Sequence, residues 1–239
     1  MKLTVLGNEG PFPSAGGATS GYLLQTKENL ICLDMGSGAF SRLRAFIDPL
    51  AVSAVILSHL HFDHCSDLGV FNYYLENCAR RGIFQGKKPC YLPNVSDREL
   101  SALQGHFPYF EFVRVMEGER EIFSLPFAFY RMSHPVLTYG LRVKEGDGTF
   151  VYTGDTGECE NLHALVAGAT FVLGDGLFLR EQEGENKPHL SAFRLCELAK
   201  TYGFTALVSH LSPLTARAAY QREMLGENFL AEPMKTYEF

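Results

Sequence analysis

The residues of this chain best suited to chemistry lie in one short stretch, Val55-Ile56-Leu57-Ser58-His59-Leu60-His61-Phe62-Asp63-His64. Three histidines and an aspartate, four side chains of the kind that ligate metals, fall within six residues there. They follow an apolar run rich in β-branched residues, which reads as a buried strand. His59 and His61 are two apart, so in extended chain they project to the same side. Asp63 and His64 are adjacent and share a face only if the chain turns. The simplest geometry is two imidazoles for one ion, then a turn that carries Asp63 and His64 to a second ion nearby. Three later strand-like stretches also run into a metal-type residue: 129–133 into His134, 150–154 into Asp155 and 206–209 into His210. A lone histidine at a strand end is usually structural. Four such endings in one chain argue for a common purpose.

Hydrophobic patterning predicts the elements that must position these groups. Residues 1–7 read as a short strand and a Gly turn. Residues 7–21 form a long loop of turn formers and small polar groups, of a kind more often functional than idle. The loop has no P-loop spacing and supports no nucleotide reading. Stretches 22–26 and 30–34 read as a hairpin, and Asp34 at its end is expected to order the backbone of the Gly turns that follow. A short helical stretch ends near Pro49. Next come a helix over 66–80, a strand over 89–93, and a helix over 96–104 opened by Ser96 and Glu99 at capping-box spacing. Strands are expected over 110–115, 121–123, 127–132, 139–144 and 150–153. A helix over 160–167, a strand over 170–173, a helix over 190–202, a strand over 206–209 and a helix over 215–225 complete the chain. Strands then helix, twice over, predicts an α+β fold of the αββα layered kind rather than a doubly wound sheet.

Composition narrows the function classes. With 46% hydrophobic and 20% charged residues, the 239-residue chain is that of an ordinary globular protein with one sizeable core. No apolar run approaches the roughly 20 residues of a membrane span. The start lacks the features of a signal peptide, so a cytoplasmic location is expected. The six cysteines show no C-x-x-C pair and read as free thiols, with Cys65 a buried structural one. A net charge of −6 argues against gripping long nucleic acid over a wide basic surface. His106 and His163 read as ordinary residues, Phe62 and Tyr139 as core aromatics rather than pocket walls, and Arg142 as a strand-surface residue.

H-x-H-x-D-H followed by His134, Asp155 and His210 resembles the metallo-β-lactamase superfamily, over most of the chain. The resemblance implies a four-layer αββα sandwich, here a single hydrolase domain over 1–239, with its site at one edge of two sheets. It also implies that His59, His61 and His134 hold one metal, that Asp63, His64 and His210 hold the other, and that Asp155 bridges them. Such imidazole and carboxylate ligands suit two Zn2+ ions, with Mn2+ or Fe compatible. Asp34 and Asp67 are candidates to hold the far ring nitrogens. Finer stretches are similar to tRNase Z and related phosphodiesterases: His134 to Val143, Leu173 to Phe178, Lys187 to Ala192 and Ser209 to Pro213. That likeness makes His189 the proton donor or a phosphate-side histidine, held by Asp175, and with Asp63 these form the expected catalytic set. The branch more often has Glu where Asp175 stands.

One departure from tRNase Z bears on substrate. Its long tRNA-binding arm is replaced here by the tight turn 144–149. The reading that results is a dinuclear hydrolase in which a metal-bridging hydroxide attacks a small or cyclic phosphodiester. Alternatives are a thioesterase or lactonase acting on a carbonyl, and a tRNA 3′-processing endoribonuclease. A flavodiiron oxidoreductase would call for Glu at position 61, and a binding protein that had lost activity would have dropped a ligand. Relatives leave a homodimer open.

Overall fold

The computed structural model describes residues Met1–Phe239. In its first half, β1 (Lys2–Gly7) and β3 (Leu30–Met35) flank β2 (Gly21–Gln25), each antiparallel to it. Helix α1 (Ala39–Leu43) leads to β4 (Ala54–Ile56), a one-turn helix α2 (Phe62–Cys65) and α3 (Leu68–Arg80). Strand β5 (Lys88–Pro93), helix α4 (Asp97–His106) and β6 (Phe110–Val115) follow. The second half holds β7 (Gly118–Ile122), β8 (Leu125–Arg131), β9 (Tyr139–Glu145) and β10 (Gly148–Tyr152), then α5 (Glu160–Val166) and β11 (Phe171–Asp175). Helix α6 (Ala192–Tyr202), β12 (Thr205–Ser209), α7 (Arg217–Glu223), β13 (Phe229–Leu230) and β14 (Thr236–Glu238) close the chain.

These strands form two seven-stranded sheets, ordered β14-β1-β2-β3-β4-β5-β6 and β13-β12-β11-β10-β9-β8-β7. The period-2 alternation of side chains builds the layers. In β10, Phe150 and Tyr152 face the opposite sheet while Val151 faces helices; in β3, Ile31 and Leu33 face inward and Cys32 outward. The inner faces bury a common core that includes Leu24, Leu33, Phe129, Leu141, Phe150 and Leu207. The outer face of the second sheet is covered by α5, α6 and α7, and that of the first by α1 and α3. This is the αββα sandwich expected from the sequence.

In each sheet one half is parallel, β3 to β6 in the first and β10 to β13 in the second. Parallel strands discharge their carboxyl ends at one edge. The loops after β4, β10, β11 and β12 therefore deliver residues 59–64, 155, 175 and 210 together.

Several elements differ from the sequence reading. The helix expected over 66–80 is α3, which starts at Leu68, and a separate helical turn at Phe62–Cys65, not expected as helix, precedes it. Helix α6 starts at Ala192, not 190, since the Ser191 hydroxyl accepts from the Arg194 amide and caps it. The strand expected at 121–123 runs over Gly118–Ile122, and Phe123 and Ser124 turn with φ of 52° and 59°. The capping box at Ser96 and Glu99 is present as read. Strands β13 and β14 lie at the outer ends of their sheets and had no counterpart in the sequence reading. No helix is long and apolar enough to cross a membrane.

Phe150 is fully buried between the sheets, with its ring 5.4 Å from that of Phe239. Phe150→Ala should cost about 3–5 kcal/mol of unfolding free energy by leaving an uncollapsed cavity. A urea melt would check this, with the slope unchanged and the midpoint lowered.

Candidate metal centre

The motif after β4 is held in shape before any ligand is considered. Asp34, at the end of β3, is fully buried with φ of 56°. Its carboxylate accepts the Ser58 amide (2.7 Å), the Ser58 hydroxyl (2.8 Å), the Tyr152 hydroxyl (2.5 Å) and His64 Nδ1 (2.7 Å). The Ser58 proton thus points at Asp34, so its oxygen accepts from His59 Nδ1 at 3.0 Å. One carboxylate therefore engages Nδ1 of His64 directly and of His59 through Ser58, leaving Nε2 of both to face the pocket. His134 is fixed alike, its Nδ1 donating to the Pro188 carbonyl at 3.1 Å. His210 Nδ1 lies 3.0 Å from the Ser20 hydroxyl.

The free nitrogens converge. His59 Nε2 and His134 Nε2 lie 3.0 and 3.2 Å from His61 Nδ1. Asp155 Oδ2 stands 3.7 Å from His59 Nε2 and 3.9 Å from His134 Nε2. On its other side, Asp155 Oδ1 is 3.2 Å from His64 Nε2 and Oδ2 is 3.4 Å from His210 Nε2. Asp63 Oδ2 completes that group at 3.5 Å from His64 Nε2 and 3.9 Å from His210 Nε2. Two four-residue groups result, His59-His61-His134-Asp155 and Asp63-His64-Asp155-His210, and they share Asp155.

The chemistry of this donor set fits divalent cations. Asp63 Oδ2, His64 Nε2, Asp155 Oδ1 and His210 Nε2 are buried atoms with no hydrogen-bond partner. Four orphaned polar atoms in one pocket are costly unless a shared partner satisfies them. Burial pushes Asp155 up, but the imidazoles of His210 and His64 outweigh it and hold the carboxyl well below its ordinary range. Burial, with His64 beside it, holds His59 well below the ordinary imidazole value. Anionic carboxylate and neutral imidazole are the forms that ligate.

A further pair adjoins this cradle. His189 Nδ1 bonds Asp175 Oδ2 at 2.8 Å, and backbone amides of Thr156 (3.0 Å) and Leu177 (3.1 Å) hold the Asp175 carboxylate. The His189 ring sits 5.2 Å from the rings of both His134 and His210, so it faces both groups. Burial pulls His189 down, yet Asp175 and then Asp155 more than reverse this, and its pKa is raised to about 9.

The loop over 7–21 reaches the site as expected of a functional loop. It supplies Ser20, and Gly10 lies flat on His210, where an added Cβ would come within 2.1–2.4 Å of the ring. Gly36 is equally confined, 2.0 Å from the Asp63 carbonyl by the same measure.

All nine residues singled out, His59, His61, Asp63, His64, His134, Asp155, Asp175, His189 and His210, are brought together. Of the two candidate supports, Asp34 serves, whereas Asp67 accepts from the Phe40 amide and holds α1 instead. Cys65 is half-buried and donates to the Leu60 carbonyl, outside both groups. The cysteines are free, as read. Phe62 is 82% exposed rather than core, while Tyr139 is core at 7%. Arg142 is half-exposed on β9, and its guanidinium bonds the Ala164, Leu165 and Ala167 carbonyls at the end of α5, partners not expected from the sequence. His163 is partnered, by Glu158 at 2.6 Å and the Tyr202 hydroxyl at 2.8 Å. The sequence reading missed Ser20, Ser58, Tyr152 and the Pro188 carbonyl. Only Ser58, next to His59, carried any local signal.

This centre and fold accord with the chain's relatives. The beta-lactamase superfamily domain matches residues 31–210. The chain belongs to that superfamily and is a metallo-hydrolase of it, a class that works through divalent metal ions. It is 30% identical over 217 residues to the probable metallo-hydrolase YhfI of Bacillus subtilis, covering 88% of this chain and 87% of that protein. The crystal structure of YhfI, a metallo-beta-lactamase fold protein, superposes with a TM-score of 0.91 at 26% identity, over 99% of this chain and 98% of that one. Human tRNase Z, short form, matches at a TM-score of 0.77 and 17% identity, over 100% of this chain and 99% of that one. A diphosphatase from the PhnP family also scores 0.77, at 18% identity and over 100% and 97%. At such identities these two show the fold alone.

Loading chelator-stripped protein with Zn2+ should raise its melting temperature by about 5–10 °C at 100-fold the dissociation constant. Because Asp34 orients a ligand of each group, Asp34→Asn should weaken Zn2+ binding about 10–100-fold, read by calorimetric titration with metal content measured in parallel.

Proposed function

We propose that this metallo-hydrolase is a phosphodiesterase acting on a small or cyclic phosphodiester. The observation that carries the reading is the His189–Asp175 pair beside the shared carboxylate. Cations held by the two groups would supply a water acidified toward neutrality and positive charge for the phosphoryl oxygens. The chain's own residues do the rest. His189 Nδ1 is engaged by Asp175, which leaves Nε2 for the substrate. As water oxygen bonds phosphorus and the bond to the leaving oxygen breaks, Nε2 gives its proton to that oxygen. The proton released by water restores the balance. Asp175 fixes the ring and offsets its charge while it is protonated.

Alcohol leaving groups need this acid; a thioester, which releases a thiolate, does not, and that is the argument against the thioester reading. Against tRNA processing stand the net charge of −6 and the turn between β9 and β10. There Glu145 pairs with Gly148, leaving only Gly146 and Asp147 outside the ladder, with no room for an arm. The names of the two fold neighbours, a tRNase Z and a diphosphatase, lend the reading support. Zn2+ is the metal proposed, from the imidazole-rich donor set.

His189→Ala should lower kcat about 10²-fold or more on a diester with an alkoxide leaving group, such as a cyclic nucleotide. On bis(p-nitrophenyl) phosphate, whose leaving group departs without a proton, the loss should be far smaller. Equal losses on both, or metal-loaded protein that cleaves thioesters and neither diester, would overturn the reading.

A further inference from the structure

His189 has a second face that the hydrolytic reading does not use. It lines a pocket of about 210 Å³ beyond the metal centre, together with Glu158, Glu183, Lys187, Ser191 and Arg194. In an in-line displacement the leaving oxygen departs opposite the attacking water, toward the group that protonates it. If His189 is that group, the rest of the leaving alcohol lies in the pocket that His189 also lines. The inference therefore rests on the phosphodiester reading, and it concerns what alcohol fits.

The wall chemistry is specific. Of eight lining residues one is hydrophobic, so a ligand there meets the heads of charged and polar side chains. Two carboxylates offset two cations, and the charge of His189 is offset by Asp175 behind it, so the wall selects neither a further anion nor a cation. Arg194 is engaged, with Nε and Nη2 bonded to Glu158 at 2.9 and 3.0 Å and Nη1 3.4 Å from Glu197. Glu158 is saturated by Arg194 and His163. Two charged groups remain without an ionic partner. Glu183 accepts only from the neutral Ser191 hydroxyl, and Lys187 makes no salt bridge and lies 5.8 Å from the centroid of the Phe178 ring. One free carboxylate acceptor and one free ammonium donor facing the same space match neighbouring hydroxyls, one donating and one accepting. The volume lies below the ~300–1,000 Å³ of drug-sized clefts and suits a small polyol.

We infer that this pocket binds the leaving alcohol of the substrate, and that this alcohol carries vicinal hydroxyls, as glycerol or a pentose does, held between Glu183 and Lys187. Both side chains are exposed, so substitutions there leave the core intact.

Two measurements test this. In steady-state kinetics with metal-loaded enzyme, KM for glycerophosphoglycerol should lie at least 10-fold below that for diethyl phosphate. Lys187→Met and Glu183→Gln should each narrow that ratio about 3- to 10-fold, mainly through KM. Equal KM values, or a ratio that neither variant moves, would overturn the inference while leaving the phosphodiester reading in place. By ligand-observed NMR, saturation should transfer to glycerol or methyl β-D-ribofuranoside, weaken in both variants, and be absent for 1-butanol and weak for glycerate. Which of the two polyols shows transfer separates a glycerol from a sugar source. If neither diester is hydrolysed, the phosphodiester reading falls alone: NMR transfer that the variants weaken still upholds a polyol pocket, and its absence removes that as well.

Discussion

Everything at the working end of this molecule answers to one buried charge. Asp155 is 2% exposed, yet its carboxyl is held in the ionised form. An isolated carboxylate in such a place would be expelled or protonated. Here imidazole nitrogens of His59, His64, His134, His189 and His210 stand 3.2–4.0 Å away. Imidazoles crowded this closely cannot all be cationic. To ligate a cation they must present lone pairs, and lone pairs facing a carboxylate repel it. Bound cations would satisfy both, which accords with four orphaned atoms, Asp63 Oδ2, His64 Nε2, Asp155 Oδ1 and His210 Nε2, clustering here.

That constraint propagates outward through hydrogen bonds rather than through packing. A lone pair on Nε2 demands a proton on Nδ1, and each Nδ1 proton needs an acceptor. Asp34 answers this twice, directly for His64 and through Ser58 for His59, and the Pro188 carbonyl answers it for His134. Asp34 and Ser58 sit at the ends of β3 and β4 in the first sheet and Pro188 in the loop before α6 beside the second, so the relative placing of the two sheets sets the hydrogen-bond pattern. Tyr152, reaching from β10 to Asp34 on β3, ties the sheets together at that point. The apolar core between the sheets thereby contributes to metal chemistry without touching it, by fixing distances that hydrogen bonds then read out.

How far sequence alone carried depended on whether the signal was local. The ligands were legible because their chemistry is rare and their spacing short, and because a strand followed by a metal-type residue recurred at His134, Asp155 and His210. The layered fold followed from alternation along strands such as Phe150-Val151-Tyr152. What was illegible is non-local or backbone-borne. Asp34 and Asp67 look alike in sequence, each a carboxylate near Gly turns, and only the fold sends one to an imidazole and the other to the Phe40 amide. Arg142 read as a surface cation because nothing in its neighbourhood in sequence announces the end of α5. The β7–β8 turn was displaced because Phe123 and Ser124 take positive φ without the Gly or Asn that usually marks it. Strands β13 and β14, of two and three residues, are too short to show a period at all.

The division of labour around His189 follows from the same geometry. Its Nδ1 side belongs to the rigid part of the site, because Asp175 is pinned by two backbone amides and cannot move without disturbing β11 and the Thr156 turn. Its other side opens on residues 183–187, an exposed segment joined to the scaffold chiefly through Glu183 and Ser191. Catalytic precision needs the first and substrate choice tolerates the second. A change at Glu183 or Lys187 alters what the proton donor meets without altering where the donor stands. On the proposed reading, the reaction class is written into the strand ends and their hydrogen-bonded supports, whereas the identity of the alcohol is written into a surface segment that can vary independently of them.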